Sequence, residues 1–389
     1  MRPETPRARL KGDAEVSKNF RVLASVAMAA TLAATSACSS TRDAEESTSG
    51  SSGSGGGLVG IAMPTRSLER WNNDGAHLDD LLKKAGYTTS LQFADNKVDQ
   101  QITQIENMIN QNAKVLVVAS IDGTALSPVL EKAATAKIKV IAYDRLINGT
   151  PNVDYYATFD NYLVGKLQGQ FIEEKLGLKD GKGPFNLEPF AGSSDDNNAK
   201  FFFNGAWDVL KPYVESGKLV IPSGKKIAGE EDWKTVSITG WKSETAQAEM
   251  DNRLNSFYTG GKKVNVVLSP NDSLALGIAQ SLASKGYKPG ADYPILTGQD
   301  ADLANVKNIQ ADTQSMTVWK DTRTLGDQVA KMIDAIVKGT TVEVNDEKTY
   351  NNGNKVVPSY LLPPVVVVKD DIKTKLVDSG FYTADKLGL

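Results

Sequence analysis

The chain has 389 residues with 44 basic and 47 acidic side chains, a net charge of −3 and 40% hydrophobic residues, which is ordinary for two globular domains. Because the charges balance, the composition does not favour nucleic acid as a partner. A single cysteine, Cys38, rules out an intrachain disulfide. Because the chain has only one histidine besides, His77, we expect neither a zinc site nor a Cys/His nucleophilic pair.

The first 38 residues have the form of an export signal, in which a charged start precedes the apolar run 22–34. Cys38 follows two small residues directly. This order resembles a bacterial lipobox, although Thr35 stands where leucine is usual. We expect lipidated Cys38 to anchor the exported protein on the outer face of the cytoplasmic membrane. The alternative is a plain secretory signal, which would give a soluble periplasmic or secreted protein.

Residues 39–57 are rich in serine, threonine and glycine and show no apolar periodicity. This composition predicts a flexible tether, so the folded body begins at Leu58. An anchor followed by a tether indicates a protein that is held at a membrane surface but works in water.

From Leu58 onward, short apolar strands alternate with amphipathic helices. Strands are predicted at 58–63, 89–93, 114–119 and 139–143, and helices at 71–86, 98–112 and 123–137. A second series has helices at 161–176, 197–214, 245–258, 273–285, 301–311 and 322–338, and strands at 184–190, 264–268, 294–297 and 315–318. The alternation predicts an α/β protein with two parallel sheets, each covered by helices on both faces.

The strand 139–143 ends at an acid and a base, Asp144 and Arg145. In open α/β sheets, ligands bind outside the carboxyl ends of the strands. A carboxylate accepts hydrogen bonds and a guanidinium donates several, so the pair can bind neighbouring hydroxyls of a sugar. A solvated turn or a local ion pair is the alternative at this position.

Polar clusters follow five other predicted strands, at 66–71, 192–198, 269–272, 298–302 and 319–320. Their mixture of Arg, Lys, Asp, Asn and Gln suits a neutral polyol, since a phosphate site would carry more cations. Asp196 and Asp272 can instead cap helices. No phosphate-binding glycine loop follows any strand, so we expect no nucleotide cofactor, and no cofactor of another kind is indicated.

Two tryptophans, Trp71 and Trp241, can stack on a sugar ring or can pack in the core. The run Phe201–Phe203 lies inside a predicted helix and is expected to be core.

Several segments together resemble the xylose-binding and multiple-sugar-binding proteins of bacterial ABC transporters, within the ribose/galactose-binding family. The resemblance extends over 58–389 and is carried by segments that include 69–71, 140–145, 158–161, 298–302 and 357–359. It implies a type I periplasmic binding protein fold, with two Rossmann-like lobes, a hinge of three chain crossings and a ligand in the cleft between the lobes.

The resemblance also implies where the lobes divide. We place the crossings near Asp160, Trp319 and Val342. The N-terminal lobe then comprises 58–160 plus 320–342, and the C-terminal lobe 161–319 plus 343–389.

The resemblance assigns ten side chains to the ligand, namely Arg70, Trp71, Asp144, Arg145, Asp196, Asn198, Trp241, Asn271, Asp300 and Lys320. It implies that Asp144 and Arg145 bind adjacent hydroxyls from one lobe while Asp196 and Asn198 do so from the other. Trp241 is expected to stack on the sugar ring, although the preceding stretch 223–237 departs from the family pattern.

The function that follows is a monomeric receptor without enzymatic activity. We expect it to bind a monosaccharide, an aldose of the xylose, glucose, galactose or arabinose type, by hinge closure and to deliver it to the permease of an ABC importer. One alternative is a sugar receptor that signals to a sensor kinase or chemotaxis protein, and another is a sugar-modifying enzyme. A transcription regulator of this fold would need an N-terminal helix-turn-helix, where this chain has a signal peptide and a tether.

Overall fold

The structure is a computed structural model that describes residues 56–229, 231–290 and 293–389. The predicted signal peptide, the lipobox cysteine Cys38 and the tether except its last two residues lie outside these ranges. Among the helices within them, none is both long enough and apolar enough to cross a membrane.

The first lobe is built on a six-stranded parallel sheet. With strands numbered along the chain, it contains β1 (Leu58–Met63), β2 (Thr88–Phe93), β3 (Val115–Val118), β4 (Lys139–Tyr143), β5 (Tyr155–Phe159) and β11 (Ser359–Leu362). They pair in the order β11-β5-β4-β3-β1-β2. All four residues of β3 are buried, as expected for a parallel strand with helices over both faces of its sheet.

Four helices cover this sheet. They are α1 (Glu69–Lys84), α2 (Val98–Asn110), α3 (Ser127–Thr135) and α9 (Thr322–Lys338). Helix α9 begins where the side chain of Asp321 accepts a hydrogen bond from the Arg323 N–H and ends at Gly339, which has φ 67°. Both are ordinary helix-end signals, and they explain why the predicted bounds of α9 are correct.

The second lobe contains a four-stranded parallel sheet and an antiparallel pair. The strands are β6 (Phe185–Pro189), β7 (Leu219–Val220), β8 (Val266–Leu268), β9 (Ile295–Leu296), β10 (Thr317–Trp319) and β12 (Val365–Val367). The sheet has the order β7-β6-β8-β9, and the pair joins β10 to β12. A single parallel bridge between Gln299 and Val318 connects the two parts.

The helices of the second lobe are α4 (Asn161–Leu176), α5 (Asn197–Glu215), α6 (Ser243–Phe257), α7 (Asp272–Ser284), α8 (Leu303–Gln310) and α10 (Ala384–Leu387). Short 3-10 turns lie at Asp232–Val236, Thr239–Trp241 and Lys369–Asp371, and a π-helical turn at Ile372–Val377. Helices α4 and α5 pack closely because Gly165 and Gly205 have no side chain where the two helices meet. A Cβ at Gly165 would overlap the carbonyl of Phe202, and a Cβ at Gly205 would overlap the carbonyl of Tyr162.

The chain crosses between the lobes three times. The first crossing lies between β5 and α4, at Asp160, and the second between β10 and α9, at Lys320 and Asp321. The third, predicted near Val342, is wrong. The chain stays in the first lobe until β11 has paired with β5, and it crosses between β11 and β12, at Pro363 and Pro364.

The assignment of 343–389 to the second lobe is therefore corrected. Residues up to Leu362 belong with the first lobe, where Tyr350 and Val357 join the hydrophobic core beside β4. Residues from Val365 pack in the second lobe, where Val367 and Leu376 contact α8. The physical reason is the proline pair, which supplies no backbone N–H and so ends one strand before the next begins.

Candidate functional site

All ten side chains that the sequence assigns to a ligand line one cavity between the lobes. They lie near the carboxyl ends of strands or at the starts of the helices that follow, where ligands bind in open α/β sheets. The lining comprises Arg70, Trp71, Asp144, Arg145, Asp196, Asn198, Trp241, Asn271, Asp300 and Lys320, together with Leu68, Phe202 and Gln299. The cavity measures about 20 Å³, which is room for about one water molecule. Facing side chains of the two lobes therefore contact one another directly.

Arg70 binds three carboxylates, and one of them lies in the other lobe. Its Nε donates to Asp74 at 3.1 Å and its Nη2 to Asp144 at 2.9 Å, both in the first lobe. Its Nη1 donates to Asp300 of the second lobe at 3.4 Å. Asp74 lies one turn further along α1, a spacing at which helical side chains meet. Arg70 is thus oriented by its own lobe as well as by the facing one.

Asp74 is fully buried beneath this guanidinium. Burial raises the pKa of Asp74 to about 6, although Arg70 and a hydrogen bond from the Tyr143 hydroxyl act to lower it. The second layer of the site therefore contains a carboxyl group that titrates close to neutral pH.

The backbone at Asp144 is held by several donors. Its φ of 59° lies in the left-handed region, which is uncommon for a residue other than glycine and recurs at functional sites. The Asp144 carbonyl accepts hydrogen bonds from the hydroxyls of Tyr156 at 2.7 Å and Thr158 at 2.9 Å, and from Nδ2 of Asn198 at 2.8 Å. These bonds hold the backbone carbonyl of Asp144, and the bond from Asn198 comes from the second lobe.

The Asp144 carboxylate is ionised in this setting. Burial alone would raise its pKa, but Arg70, Lys320 and Arg145 outweigh burial and hold the pKa below its ordinary value. The ion-pair partner of the adjacent Arg145 is Asp196 of the second lobe, with 2.9 Å between Nε and Oδ2. The alternative of a local Asp144–Arg145 ion pair is therefore wrong, because each side chain has its own partner elsewhere.

Asp196 serves two roles with its two oxygens. Oδ1 accepts the backbone N–H of Asn198 at 2.9 Å and caps α5. Oδ2 accepts Nε1 of Trp241 at 3.2 Å and pairs with Arg145. Burial raises the pKa of Asp196, while Arg145 and the cap bond lower it in part. Capping and a place in the cavity were alternatives from sequence, and the structure shows both.

Lys320 lies at the second crossing and is 1% exposed. Its Nζ is 3.1 Å from Oδ1 of Asp300 and 3.8 Å from Oδ2 of Asp144. Asp300 has φ 98°, again in the left-handed region. One cation at the hinge thus contacts carboxylates of both lobes.

Asn271 is the N-cap of α7, where its Oδ1 accepts the N–H of Leu274 at 3.1 Å. Asp272, which the sequence offered as a possible helix cap, is not the N-cap of α7. It is fully buried behind the cavity and accepts hydrogen bonds from Gln314 at 2.8 Å and Thr317 at 3.0 Å. Asn271 therefore lines the cavity while its neighbour supports the loop.

Two tryptophans form the aromatic part of the cavity. Trp71 is 1% exposed, and the guanidiniums of Arg70 and Arg145 lie 4.4 and 5.1 Å from its ring centre, within cation–π range. Trp241 has φ 57°, and a Cβ at Gly192 would overlap its indole, so glycine is required beneath it. Packing within the protein thus holds both indole side chains in place without a ligand.

Three residues of the lining were not predicted as ligand contacts. Phe202 was expected to be core; it is, but it also borders the cavity and contacts the edge of Trp241 at 6.3 Å between ring centres. Gln299 lies inside the polar cluster 298–302, so a signal was present. Leu68 is an isolated apolar residue before α1, so no signal in the sequence indicated that it would line the cavity.

Residues 59–341 match the periplasmic binding protein domain family. This chain belongs to the periplasmic binding protein family. The match covers both lobes and all ten predicted side chains, and the fold is that of a type I periplasmic binding protein, as the resemblance implied.

Several proteins similar to the chain are named for the sugars that they bind. The multiple sugar-binding periplasmic receptor ChvE of Rhizobium radiobacter is 53% identical over 332 residues, covering 85% of this chain and 92% of that protein. The D-xylose-binding periplasmic protein of Escherichia coli K12 is 38% identical, covering 85% and 92%. A solved ABC transporter solute binding protein from Clostridium phytofermentans with bound β-D-glucose is 53% identical, covers 85% of this periplasmic binding protein and 99% of its own chain, and has a TM-score of 0.81.

Proposed function

We propose that this periplasmic binding protein binds a neutral aldose in the cleft between its lobes and delivers it to the permease of an ABC importer. The observation that carries the proposal is that hydrogen-bonding side chains of both lobes converge on one buried cavity. Relatives named for xylose and for several sugars, and a similar structure with bound glucose, support the same ligand class.

The charge of the cavity favours a neutral ligand. Its lining has three cations, Arg70, Arg145 and Lys320, and three carboxylates, Asp144, Asp196 and Asp300. Every one of the six is in an ion pair. A phosphorylated sugar would call for an excess of cations, whereas a hydroxyl can both donate to a carboxylate and accept from a guanidinium.

Sugar binding in this arrangement requires movement of the lobes. The cavity of about 20 Å³ has no room for a six-membered ring among side chains that already touch. We infer that the ligand enters when the lobes separate and that its hydroxyls then take over the contacts that Arg70 makes with Asp300 and Arg145 with Asp196. Since a ligand stabilises the state to which it binds better, the bridging sugar shifts the population toward the closed form.

Export and anchoring form the second part of the proposal. Periplasmic binding proteins work outside the cytoplasm, and the segment around Cys38 supports lipidation there, with 39–57 as the tether. A soluble periplasmic form is the alternative. Replacement of Cys38 by alanine, followed by membrane fractionation and mass measurement of the lipid, distinguishes the two.

Calorimetric titration with a panel of neutral aldoses tests the binding part. We expect at least one pentose or hexose to bind with Kd of about 1 μM, near 8 kcal/mol. The matched control is Asp80→Asn, a carboxylate of α1 that is 55% exposed and pairs with Lys84 on the surface, and it should bind equally well. A purified protein that is folded by circular dichroism but binds none of the panel would contradict the proposal.

A further inference from the structure

Gln299 is a buried residue of the cavity whose side-chain carbonyl has no partner. The residue is 2% exposed, and its Oε1 forms no hydrogen bond with any described residue. The charged side chains around it are all paired. The other polar atom of the lining in the same condition is Nε1 of Trp71, which is also buried.

The backbone leaves Gln299 little freedom to find a partner elsewhere. Its carbonyl accepts the N–H of Asp272 at 2.9 Å, and it forms the bridge to Val318 that joins the two parts of the second lobe. A Cβ at the preceding Gly298 would overlap the Asp272 carboxylate. Side chain 299 is therefore held at the cavity by backbone contacts on both sides.

An unpaired buried carbonyl is costly. Leaving such a group without a hydrogen bond costs roughly 1–3 kcal/mol, whereas an apolar side chain of the same shape carries no such penalty. At most positions of a core a methionine or leucine would therefore be more stable than this glutamine. An acceptor and a donor that remain unpaired on the wall of a ligand cavity point to a ligand that supplies both complements.

We infer that Gln299 is a specificity-determining residue of the sugar site, whose Oε1 accepts a hydrogen bond from one hydroxyl of the bound sugar. Nε1 of Trp71 donates to an oxygen of the same ligand. The inference rests on the proposed function and deepens it, since it predicts discrimination against the sugar that lacks this one hydroxyl. A site built to bond a hydroxyl rejects the analogue without it because its own polar group is then left unpaired.

Gln101 provides a matched control in the first lobe. It is fully buried, but its Nε2 donates to the carbonyl of Ala119 at 2.8 Å and its Oε1 accepts the N–H of Ile121 at 2.9 Å. It has both its partners inside the fold and does not line the cavity.

The experiment compares Gln299→Met with Gln101→Met by thermal melting without sugar and by titration with the aldose that binds best to the wild type. We expect Gln299→Met to melt at or above the wild-type temperature and to bind the aldose at least tenfold more weakly. Gln101→Met should melt lower, because two backbone groups lose their partner, and should bind with wild-type affinity at a temperature where it is folded.

A set of monodeoxy analogues of the same aldose completes the test. One of them should lose at least tenfold in affinity for the wild type and much less for Gln299→Met, since the missing hydroxyl and the missing carbonyl belong to one hydrogen bond. Equal affinity of the wild type and Gln299→Met for the aldose overturns this inference alone. A wild type that binds no aldose overturns the proposed function, and the inference with it.

Discussion

The two walls of the cleft are built differently. In the first lobe, Arg70 is paired within the lobe with Asp74 and Asp144, and the carbonyl of Asp144 is bonded to the hydroxyls of β5, whereas Arg145 has its ion-pair partner across the cleft. In the second lobe, Asp196 has its cation, Arg145, across the cleft. Separation of the lobes therefore leaves the pairs of Arg70 with Asp74 and Asp144 intact, whereas Arg145 and Asp196 both lose their countercharge.

This difference explains how a binding protein can be both ordered and mobile. A wall with internal ion pairs presents its hydrogen-bonding groups in fixed directions, so a ligand need not order them. A wall that lacks its partner in the open form gains it on closure. The Arg70 cluster of the first lobe thus supplies preorganisation, and the Arg145–Asp196 pair across the cleft supplies part of the driving force for closing.

The largest effect is expected from the first wall. Asp144→Asn removes the charge that pairs with Arg70, and we expect sugar affinity to fall several-hundredfold, about 3–4 kcal/mol, because a buried cation loses a partner. Unfolding free energy should fall as well, by about 1–2 kcal/mol, because this pair exists without sugar. Titration and urea denaturation measure the two. A loss of affinity with unchanged unfolding free energy would show that the ion pair between Asp144 and Arg70 is not formed in the protein without sugar.

The next effect isolates Asp74. Its pKa of about 6 in the fold is above its ordinary value, so the folded protein holds this proton more tightly than the unfolded chain does. The resulting stability is present below about pH 4 and is lost as the pH rises through 6. Relative to Asp74→Asn, which lacks the titration, the wild type should lose up to about 3 kcal/mol of unfolding free energy between pH 4 and 7.

Urea denaturation of both proteins at several pH values, without sugar, measures this difference. Groups elsewhere titrate equally in the two proteins and cancel. A stability difference that is constant from pH 4 to 7 would mean that the carboxyl of Asp74 is already ionised at low pH and that Arg70 governs it more strongly than burial does.

A smaller and more selective effect is expected from the second wall. Asparagine caps helices as well as aspartate does, so Asp196→Asn keeps the cap of α5 and removes only the charge that faces Arg145. We expect sugar affinity to fall about tenfold, about 1.4 kcal/mol, while the melting temperature without sugar stays within a degree or two of the wild type. A large drop in melting temperature would place Asp196 with Asp144 and remove the contrast between the walls.

Much of this site follows from the sequence because a parallel sheet brings residues that are distant in the chain to one edge. Once β4 and the polar clusters after the other strands are recognised, their meeting at the carboxyl ends is a consequence of the topology. The resemblance to sugar-binding proteins then selects among the polar residues of each cluster.

The pairing within the site does not follow from the sequence. Arg145 stands next to Asp144, yet its ion-pair partner is Asp196, while Asp144 pairs with Arg70 and has the left-handed backbone conformation, with φ 59°. Such a conformation has no signature in an aspartate. The unpaired carbonyl of Gln299 is likewise visible only when its surroundings are known.

The third crossing was mispredicted for a related reason. Strands β11 and β12 have four and three residues and lie among Pro358, Pro363 and Pro364, so local composition did not reveal them. What makes β11 a strand is its pairing with β5, a contact between residues 359–362 and 156–159. Long-range pairing of this kind is decided by tertiary structure and not by the local pattern.

Solution scattering with and without sugar tests the central claim most directly. Because the ligand must enter between walls that touch in the closed form, we predict a smaller radius of gyration with the best-binding aldose than without it. We predict no change for Asp144→Asn when the same sugar is added at a concentration that saturates the wild type but lies well below the weakened Kd of the variant. An unchanged radius of gyration in the wild type, with binding confirmed in the same sample, would contradict closure of the two lobes around the sugar.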